Sequence, residues 1–275
     1  MLGRELLTEC NRRDMDVCAF AGRKDLDITD ADAVRDALRN KAPAVVINAA
    51  GYTDVDRAEA EPGAADQVNR AGPGHVAQVC SEIGALLVHY STDYVFDGRA
   101  GRPYRVDDTP RPINTYGSTK LAGERAVVES GCAHLLIRTS WLFAPHGRNF
   151  VRRILELARQ RPTLHVVNDQ YGRPTYAADL AVLTLKLLAA EARGIFHVAN
   201  DGECTWYEFA KGIVETADLE CRVMPCKTIR FLRPAKRPGF SVLDLTETVN
   251  LIGRPRHWSE ALQACLADIL VQDRV

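Results

Sequence analysis

In the stretch Asn114-Thr115-Tyr116-Gly117-Ser118-Thr119-Lys120, a phenol and an ammonium group stand four residues apart. On a helix that spacing puts both side chains on one face, one turn apart. An unperturbed phenol has a pKa near ~10, too high for easy proton exchange at neutral pH. A neighbouring ammonium favours the phenolate and lowers that value. The pair then suits a general acid for a ketone that is receiving hydride. By itself Tyr-x-x-x-Lys is a weak signal, because the two residues also meet by chance on solvated helix faces. Earlier in the chain, however, the apolar run from Ala85 to Tyr90 leads straight into Ser91-Thr92-Asp93-Tyr94-Val95-Phe96. Hydroxyls at the carboxyl end of a parallel strand lie where open α/β sheets bind ligands. Thr92 is placed there to hydrogen-bond a carbonyl oxygen and share developing alkoxide charge; its alternative is a turn or helix cap. Hydroxyl, Tyr and Lys in this order and on these elements make a strong signal.

The elements that must position these groups alternate. Short apolar runs at Val17–Ala21, Ala44–Asn48, Ala85–Tyr90 and Ala133–Arg138 are close to continuously hydrophobic, as expected of strands covered on both faces. Amphipathic stretches at Gly3–Asn11, Asp30–Arg39, Pro73–Ile83 and Tyr116–Glu129 lie between them and predict helices, with Asp30 as an N-cap. This rhythm predicts an α/β fold with a doubly wound parallel sheet, Rossmann-like. Two more strands are expected at Leu164–Val167 and Ile195–Ala199. Later helices are expected at Phe150–Gln160, Tyr176–Ala190, Trp206–Ala217 and Ser259–Ile269. The change of rhythm divides the chain into a dinucleotide-binding domain over 1–145, to which 169–200 returns, and a smaller C-terminal substrate-binding domain formed mainly by 146–168 and 201–275. The cation-rich stretch 230–238, with its two prolines, reads as a surface loop beside something polar or anionic.

Composition narrows the class of protein. The chain has 275 residues, 46% hydrophobic and 26% charged, and a formal net charge of -1, which gives no reason to expect nucleic acid or an acidic membrane surface as partner. No apolar run approaches the ~20 residues of a membrane span, and the first residues show no apolar core of a signal peptide. The eight cysteines are scattered without a C-x-x-C pair. They are expected to be reduced and structural, which suits a cytoplasmic location, and no metal site is expected from them.

The set Thr92, Tyr116 and Lys120 resembles the extended short-chain dehydrogenase/reductase family. Phrases spread along the chain narrow the likeness to the branch that reduces dTDP-4-dehydro sugars. They include Val46-Ile47-Asn48-Ala49-Ala50-Gly51-Tyr52-Thr53, His89-Tyr90-Ser91-Thr92-Asp93-Tyr94-Val95-Phe96, Arg138-Thr139-Ser140-Trp141 and Asn168-Asp169-Gln170-Tyr171-Gly172-Arg173-Pro174-Thr175. Arg237-Pro238 followed by Ser241, Leu243 and Asp244 resembles the same branch's late loop. The resemblance implies NADPH-dependent reduction of the C4 ketone of dTDP-4-dehydro-L-rhamnose to dTDP-L-rhamnose. Tyr116 is then the proton donor, and Lys120 lowers its pKa and holds the nicotinamide ribose. Thr92 contacts the reacting oxygen, Thr92 and Asp93 touch the sugar, and Trp141 lies against the substrate, with an ordinary core aromatic as its alternative. Asp27 and Ile28 line the adenine side of the cofactor, and Gly51, Tyr52 and Thr53 its middle. Asn69 resembles the helix asparagine that braces the catalytic lysine; a local cap is its alternative. Arg173 and Arg237 are candidates for the nucleotide diphosphate, with surface solvation as the alternative for both. Two other readings remain: reduction of a different 4-keto nucleotide sugar, and a non-catalytic NADP-binding regulatory subunit like the methionine adenosyltransferase β subunit.

Two features depart from the pattern. The opening Met1-Leu2-Gly3-Arg4-Glu5 resembles the tail of the glycine-rich turn and the start of its helix, so Gly3 is the one glycine of that turn present. The first strand and the earlier glycines are absent; the expectation is a misplaced start, with a protein that lacks a central strand as its alternative. At the end of the expected second strand stands Ala21-Gly22-Arg23-Lys24, where an acid for the ribose 2′-OH would select NAD. Arg23 is therefore expected to favour the 2′-phosphate of NADPH, with NADH as the alternative and a basic turn facing water as the structural one. Glu5 is a candidate for an acidic intersubunit site of the kind that bridges some relatives into homodimers through Mg2+; a solvated helix face is its alternative.

Overall fold

The computed structural model describes residues 1–272. Helices α1 (Leu2–Arg12) and α2 (Ala31–Lys41) precede strand β1 (Val45–Asn48). Asp30 caps α2, its carboxylate accepting from the amides of Asp32 at 3.1 Å and Ala33 at 3.0 Å. Short helices α3 (Val55–Ala60) and α4 (Pro62–Asp66) pass through a π-helical turn (Gln67–Ala71) into α5 (Gly72–Ile83). Strand β2 (Leu86–Thr92) ends in a 3-10 turn (Asp93–Val95). Helix α6 (Thr115–Glu129) and strand β3 (His134–Thr139) follow, then β4 (Leu142–Phe143), α7 (Phe150–Gln160), β5 (Thr163–Val167), β6 (Tyr171–Gly172), β7 (Thr175–Tyr176) and α8 (Ala177–Ala189). The chain continues through β8 (Gly194–His197), β9 (Cys204–Thr205), α9 (Trp206–Thr216), β10 (Arg222–Cys226), α10 (Thr246–Ile252) and α11 (Trp258–Gln272).

The expected parallel sheet is present as four strands in the order β1-β2-β3-β8, every neighbouring pair parallel. All seven residues of β2 are buried, which explains its unbroken apolar run. One face packs Val88, Tyr90, Leu135 and Ile137 against Leu2 and Leu6 of α1 and Leu180, Leu183 and Leu187 of α8. The other face packs Leu87 against Val34 and Leu38 of α2, Val76 and Cys80 of α5, and Val127 of α6. Helices on both faces make the fold doubly wound.

One expected strand does not form. Residues 17–21 run as irregular backbone, with Val17 40% and Phe20 42% exposed. A strand exists through its ladder partner, and β1 pairs with β2 on one edge only; among the described residues nothing ladders to its other edge. The apolar pattern is local, whereas the pairing it needs is not.

A second core gathers Phe143, Val151, Ile154 and Leu155 of α7, Leu164 and Val166 of β5, Phe209 and Ile213 of α9, and Leu262 of α11. Here β5 pairs in parallel with β10 rather than joining the main sheet. All eight cysteines are free, and five of them (Cys10, Cys80, Cys132, Cys204 and Cys265) are buried. Among the described residues no helix is long and apolar enough to cross a membrane.

Candidate active site

Thr92 is the last residue of β2, opposite Thr139 of β3, at the carboxyl end of the parallel sheet. Its hydroxyl accepts from the Tyr94 amide at 3.1 Å and donates to Asp93 Oδ1 at 3.1 Å. The cap and the candidate catalytic hydroxyl are therefore the same group. Helix α6 is aimed at this turn by its N-terminus. Asn114 Oδ1 accepts from the Gly117 amide at 2.7 Å, and the Glu59 carboxylate takes the Thr115 amide and hydroxyl at 2.8 and 2.9 Å. Negative charge at a helix N-terminus is favourable. Gly117 lets the helix touch the turn, since a Cβ there would overlap the Tyr94 carbonyl oxygen. Tyr94 and Tyr116 meet edge to face with ring centroids 6.0 Å apart.

Tyr116 and Lys120 lie one helical turn apart on α6, as the spacing predicts. Burial pushes the Tyr116 phenol up to about 12, and the hydrogen bond with Thr92 acts the other way. The Lys120 ammonium donates to the Tyr90 carbonyl oxygen at 2.5 Å. Burial lowers the Lys120 pKa to about 8, opposed by the Glu124 carboxylate one turn further along. Burial raises the Asp93 carboxyl to about 7 despite hydrogen bonds from Ser241 and Thr92.

The remaining candidate residues fall into two groups. Gly3, in the first turn of α1, faces Ala49, and so stands beside the loop that holds Gly51, Tyr52 and Thr53. Asn69 Oδ1 accepts from the Tyr52 amide at 2.9 Å, and its Nδ2 donates to the Tyr52 carbonyl at 3.1 Å and to Thr119 Oγ1 at 3.1 Å. Asn69 therefore ties this loop to the residue before Lys120 rather than to the lysine itself. It sits in the π-helical turn, a feature frequent at functional sites. Ile28 packs over Gly72, and its carbonyl meets His75 Nδ1 at 3.2 Å. Arg23 reaches Asp27 at 2.6 Å, so the basic turn and the candidate adenine-side acid form an exposed pair. Hydrogen bonds from the Thr29 hydroxyl and amide, and then from Arg23, hold Asp27 below the usual carboxylate range.

The arginines differ. Arg173 donates to the carbonyls of Leu243 at 2.8 Å and Gly202 at 2.9 Å and pairs with Asp201 at 3.5 Å, so its own chain already uses this guanidinium. Arg237 donates to Asp56 Oδ1 at 2.9 Å and to the Ala235 carbonyl at 2.7 Å, while Arg233 takes the other Asp56 oxygen at 3.1 Å. The late loop is thereby tied to α3, next to Gly51–Thr53. Trp141 is half-buried and lies flat on Trp206, ring centroids 3.5 Å apart and planes 9° from parallel. Glu5 Oε1 lies 3.3 Å from His146 Nδ1, and among the described residues no cluster of three or more His, Cys, Asp and Glu is disposed to hold a metal.

Sequence reading gave no individual role to several residues that organise the site: Glu59, Glu124, Ser241 and Trp206. Ser241 donates to Asp93 Oδ2 at 2.5 Å across a long sequence interval. Nothing local in the sequence announces such a contact. Glu124, four residues after Lys120, repeats the helical spacing and was open to the same reading.

A doubly wound parallel sheet with hydroxyl, Tyr and Lys converging at its carboxyl edge defines a Rossmann-type oxidoreductase of the extended short-chain class. The chain belongs to the RmlD substrate binding domain family, whose model matches residues 1–271. It is 45% identical over 270 residues to a dTDP-4-dehydrorhamnose reductase of Streptomyces griseus, covering 95% of this chain and 88% of that one. It is 39% identical over 269 residues to a dTDP-4-keto-6-deoxy-D-glucose reductase of Streptomyces niveus, covering 95% and 92%. A crystal structure of a dTDP-4-dehydrorhamnose reductase from Bacillus anthracis in complex with NADP superposes with a TM-score of 0.93 at 38% identity, covering 97% of this chain and 95% of that one.

Proposed function

We propose that the protein reduces the C4 ketone of dTDP-4-dehydro-L-rhamnose to dTDP-L-rhamnose at the expense of NADPH. The observation that carries this reading is the placement of Thr92 at the carboxyl edge of the sheet, near enough to Tyr116 to act on its phenol, with Lys120 one helical turn further along and its ammonium on the Tyr90 carbonyl. The cofactor fits the residues present. The first turn of α1 has no side-chain cap, and it stands beside the loop of Gly51, Tyr52 and Thr53. Backbone amides at a helix N-terminus favour phosphate. Gly3, Gly51, Tyr52 and Thr53 would hold the middle of the dinucleotide, Asp27 and Ile28 its adenine end, and Arg23 the 2′-phosphate. NADPH, when bound, supplies the hydride that C4 receives.

As C4 is reduced, alkoxide charge develops on the ketone oxygen; Tyr116 gives that oxygen its phenolic proton, leaving a C4 hydroxyl and a phenolate, and Thr92 hydrogen-bonds the same oxygen. Lys120 stabilises the resulting phenolate electrostatically. Asp93 and Trp141 hold the sugar, and Arg237 faces the diphosphate. Arg173 is left out of the substrate set because both its Nε and its Nη1 are engaged within the chain, whereas Arg237 uses only Nη1 there. In this reading residues 1–145 and 169–200 bind the cofactor, and 146–168 and 201–275 shape the sugar site.

Consumption of NADPH with dTDP-4-dehydro-L-rhamnose, followed by product analysis, is the direct test. The expected product is dTDP-L-rhamnose, and Tyr116→Phe lowers turnover by about 100- to 10,000-fold while cofactor affinity stays near that of the parent. Faster reduction of dTDP-4-keto-6-deoxy-D-glucose would assign a different sugar. No turnover of either sugar, with NADPH bound, would point to the regulatory-subunit reading.

A further inference from the structure

Trp141 stands in an unusual backbone position. It stands two residues past the end of β3, and its φ of 47° lies in the left-handed region that a bulky residue avoids. Such a conformation persists only where the surroundings over-determine it. Three contacts do so here. The Trp141 carbonyl accepts from the Thr175 amide at 3.2 Å, Ser140 Oγ donates to the Arg173 carbonyl at 2.7 Å, and one indole face rests on Gly172, where any Cβ would overlap it. The opposite face lies flat on Trp206.

Trp206 is itself firmly placed. It is the first residue of α9, behind a capping box in which the Glu208 amide donates to Thr205 Oγ1 at 3.1 Å and the Thr205 amide donates to Glu208 Oε2 at 2.7 Å. Strand β9 also pairs Cys204 with Gly172, so the segment carrying Trp206 and the glycine beneath Trp141 share one ladder. On its other side Trp206 packs against Phe150, centroids 4.5 Å apart. The backbone of Trp141 thus belongs to the end of the main sheet, while its side chain is supported by the second core.

We propose that Trp206 is a positioning residue for sugar selectivity. It does not touch the sugar; it fixes the plane of the Trp141 indole, which is held between Trp206 and Gly172 and turns the exposed part of its rim to the 6-deoxyhexose. This inference rests on the proposed function, in which Trp141 lies against the substrate. An aromatic contact discriminates by shape only when it is rigid, and an indole held on both faces is rigid.

The test compares binding of dTDP-L-rhamnose with binding of dTDP, measured by calorimetry on the wild-type chain and on Trp206→Leu, Trp206→Phe and Gly172→Ala. Trp206→Leu should weaken dTDP-L-rhamnose about tenfold and leave dTDP within about twofold, the size of effect an aromatic contact supports. Trp206→Phe, which keeps a flat partner, should recover most of that loss. Gly172→Ala, which presses on the indole from the face opposite Trp206 and keeps the Trp206 side chain, should reproduce it. In turnover the same variants should raise KM for the ketosugar while kcat and KM for NADPH hold. Equal losses for both nucleotides, or no loss for dTDP-L-rhamnose, would overturn the inference. A misfolded Trp206→Leu leaves the decision to Gly172→Ala. Selective loss in a wild-type background that reduces no ketosugar would sustain the role of Trp206 and sink the proposed reaction; normal reduction without selective loss would do the reverse.

Discussion

The Tyr116 phenol, held up to about 12 by burial, carries its proton throughout the neutral range, as a general acid for ketone reduction requires. The group with a titration near working pH is Lys120, lowered to about 8 because burial disfavours its charge. As pH rises through about 8 the ammonium is lost, and with it the charge that stabilises the phenolate in the proposed reaction. The kcat profile should therefore fall on its alkaline side with a midpoint near that value. Lys120→Arg, whose guanidinium stays charged, should remove this limb even at lower overall activity; a limb unchanged in that variant would assign the titration elsewhere. Asp93 behaves in the opposite sense. Its carboxyl is raised from 3.8 to about 7, so its contribution to stability is present below pH 3.8 and lost as pH rises through about 7. Relative to wild type, Asp93→Asn should gain stability across that window and show a constant difference above it. Urea midpoints measured from pH 4 to pH 9 would check this. Thr92, Tyr116 and Lys120 were legible in the sequence because each is announced by local spacing. The Ser241 hydroxyl that meets Asp93 was not, because that contact joins residues far apart in the chain.

At the scale of elements, helix α6 keeps its place through a buried ion pair. Glu124 accepts from Arg138 Nε at 3.0 Å and Nη2 at 2.8 Å and from Ser91 Oγ at 2.5 Å, with both charged side chains under 5% exposed. Arg138 also donates to the Val106 carbonyl at 3.3 Å and lies 5.2 Å over the Phe96 ring. One carboxylate therefore ties the catalytic helix to β2 and β3 one turn beyond Lys120. Removing one partner leaves an uncompensated buried charge. Glu124→Leu should accordingly destabilise the fold by about 3–5 kcal/mol, whereas Glu124→Leu with Arg138→Leu should cost less than the single change. Chemical denaturation of the two variants measures the difference, and additive losses would show that the pair is not coupled. The boundaries of α6 were read from sequence to within one residue at its start, since Asn114 is a strong cap. The two-residue strands β4, β6, β7 and β9 were not visible, because so few residues show no alternation to detect.

For the whole molecule, the doubly wound sheet was foreseeable because continuous apolar runs demand helices on both faces, and the packing of Leu87 and Val88 on opposite sides of β2 meets that demand. Residues 17–21 carry the same apolar signal with a different outcome. Their backbone has no ladder, and Val17 and Phe20 remain exposed. The two segments therefore separate sequence pattern from pairing within one chain. Hydrogen exchange reads that difference directly, since protection follows backbone hydrogen bonds in cooperative units. Among the described residues the amides of 17–20 have no hydrogen-bond partner, while those of β2 are paired on both sides, to β1 and β3. In the chain of this sequence, peptides spanning 16–21 should exchange within the earliest time points, and peptides spanning 86–92 should exchange only with global opening. Strong protection of 16–21 would mean that these residues do pair, most economically along the free edge of β1, and that apolar pattern alone had correctly foretold a strand there.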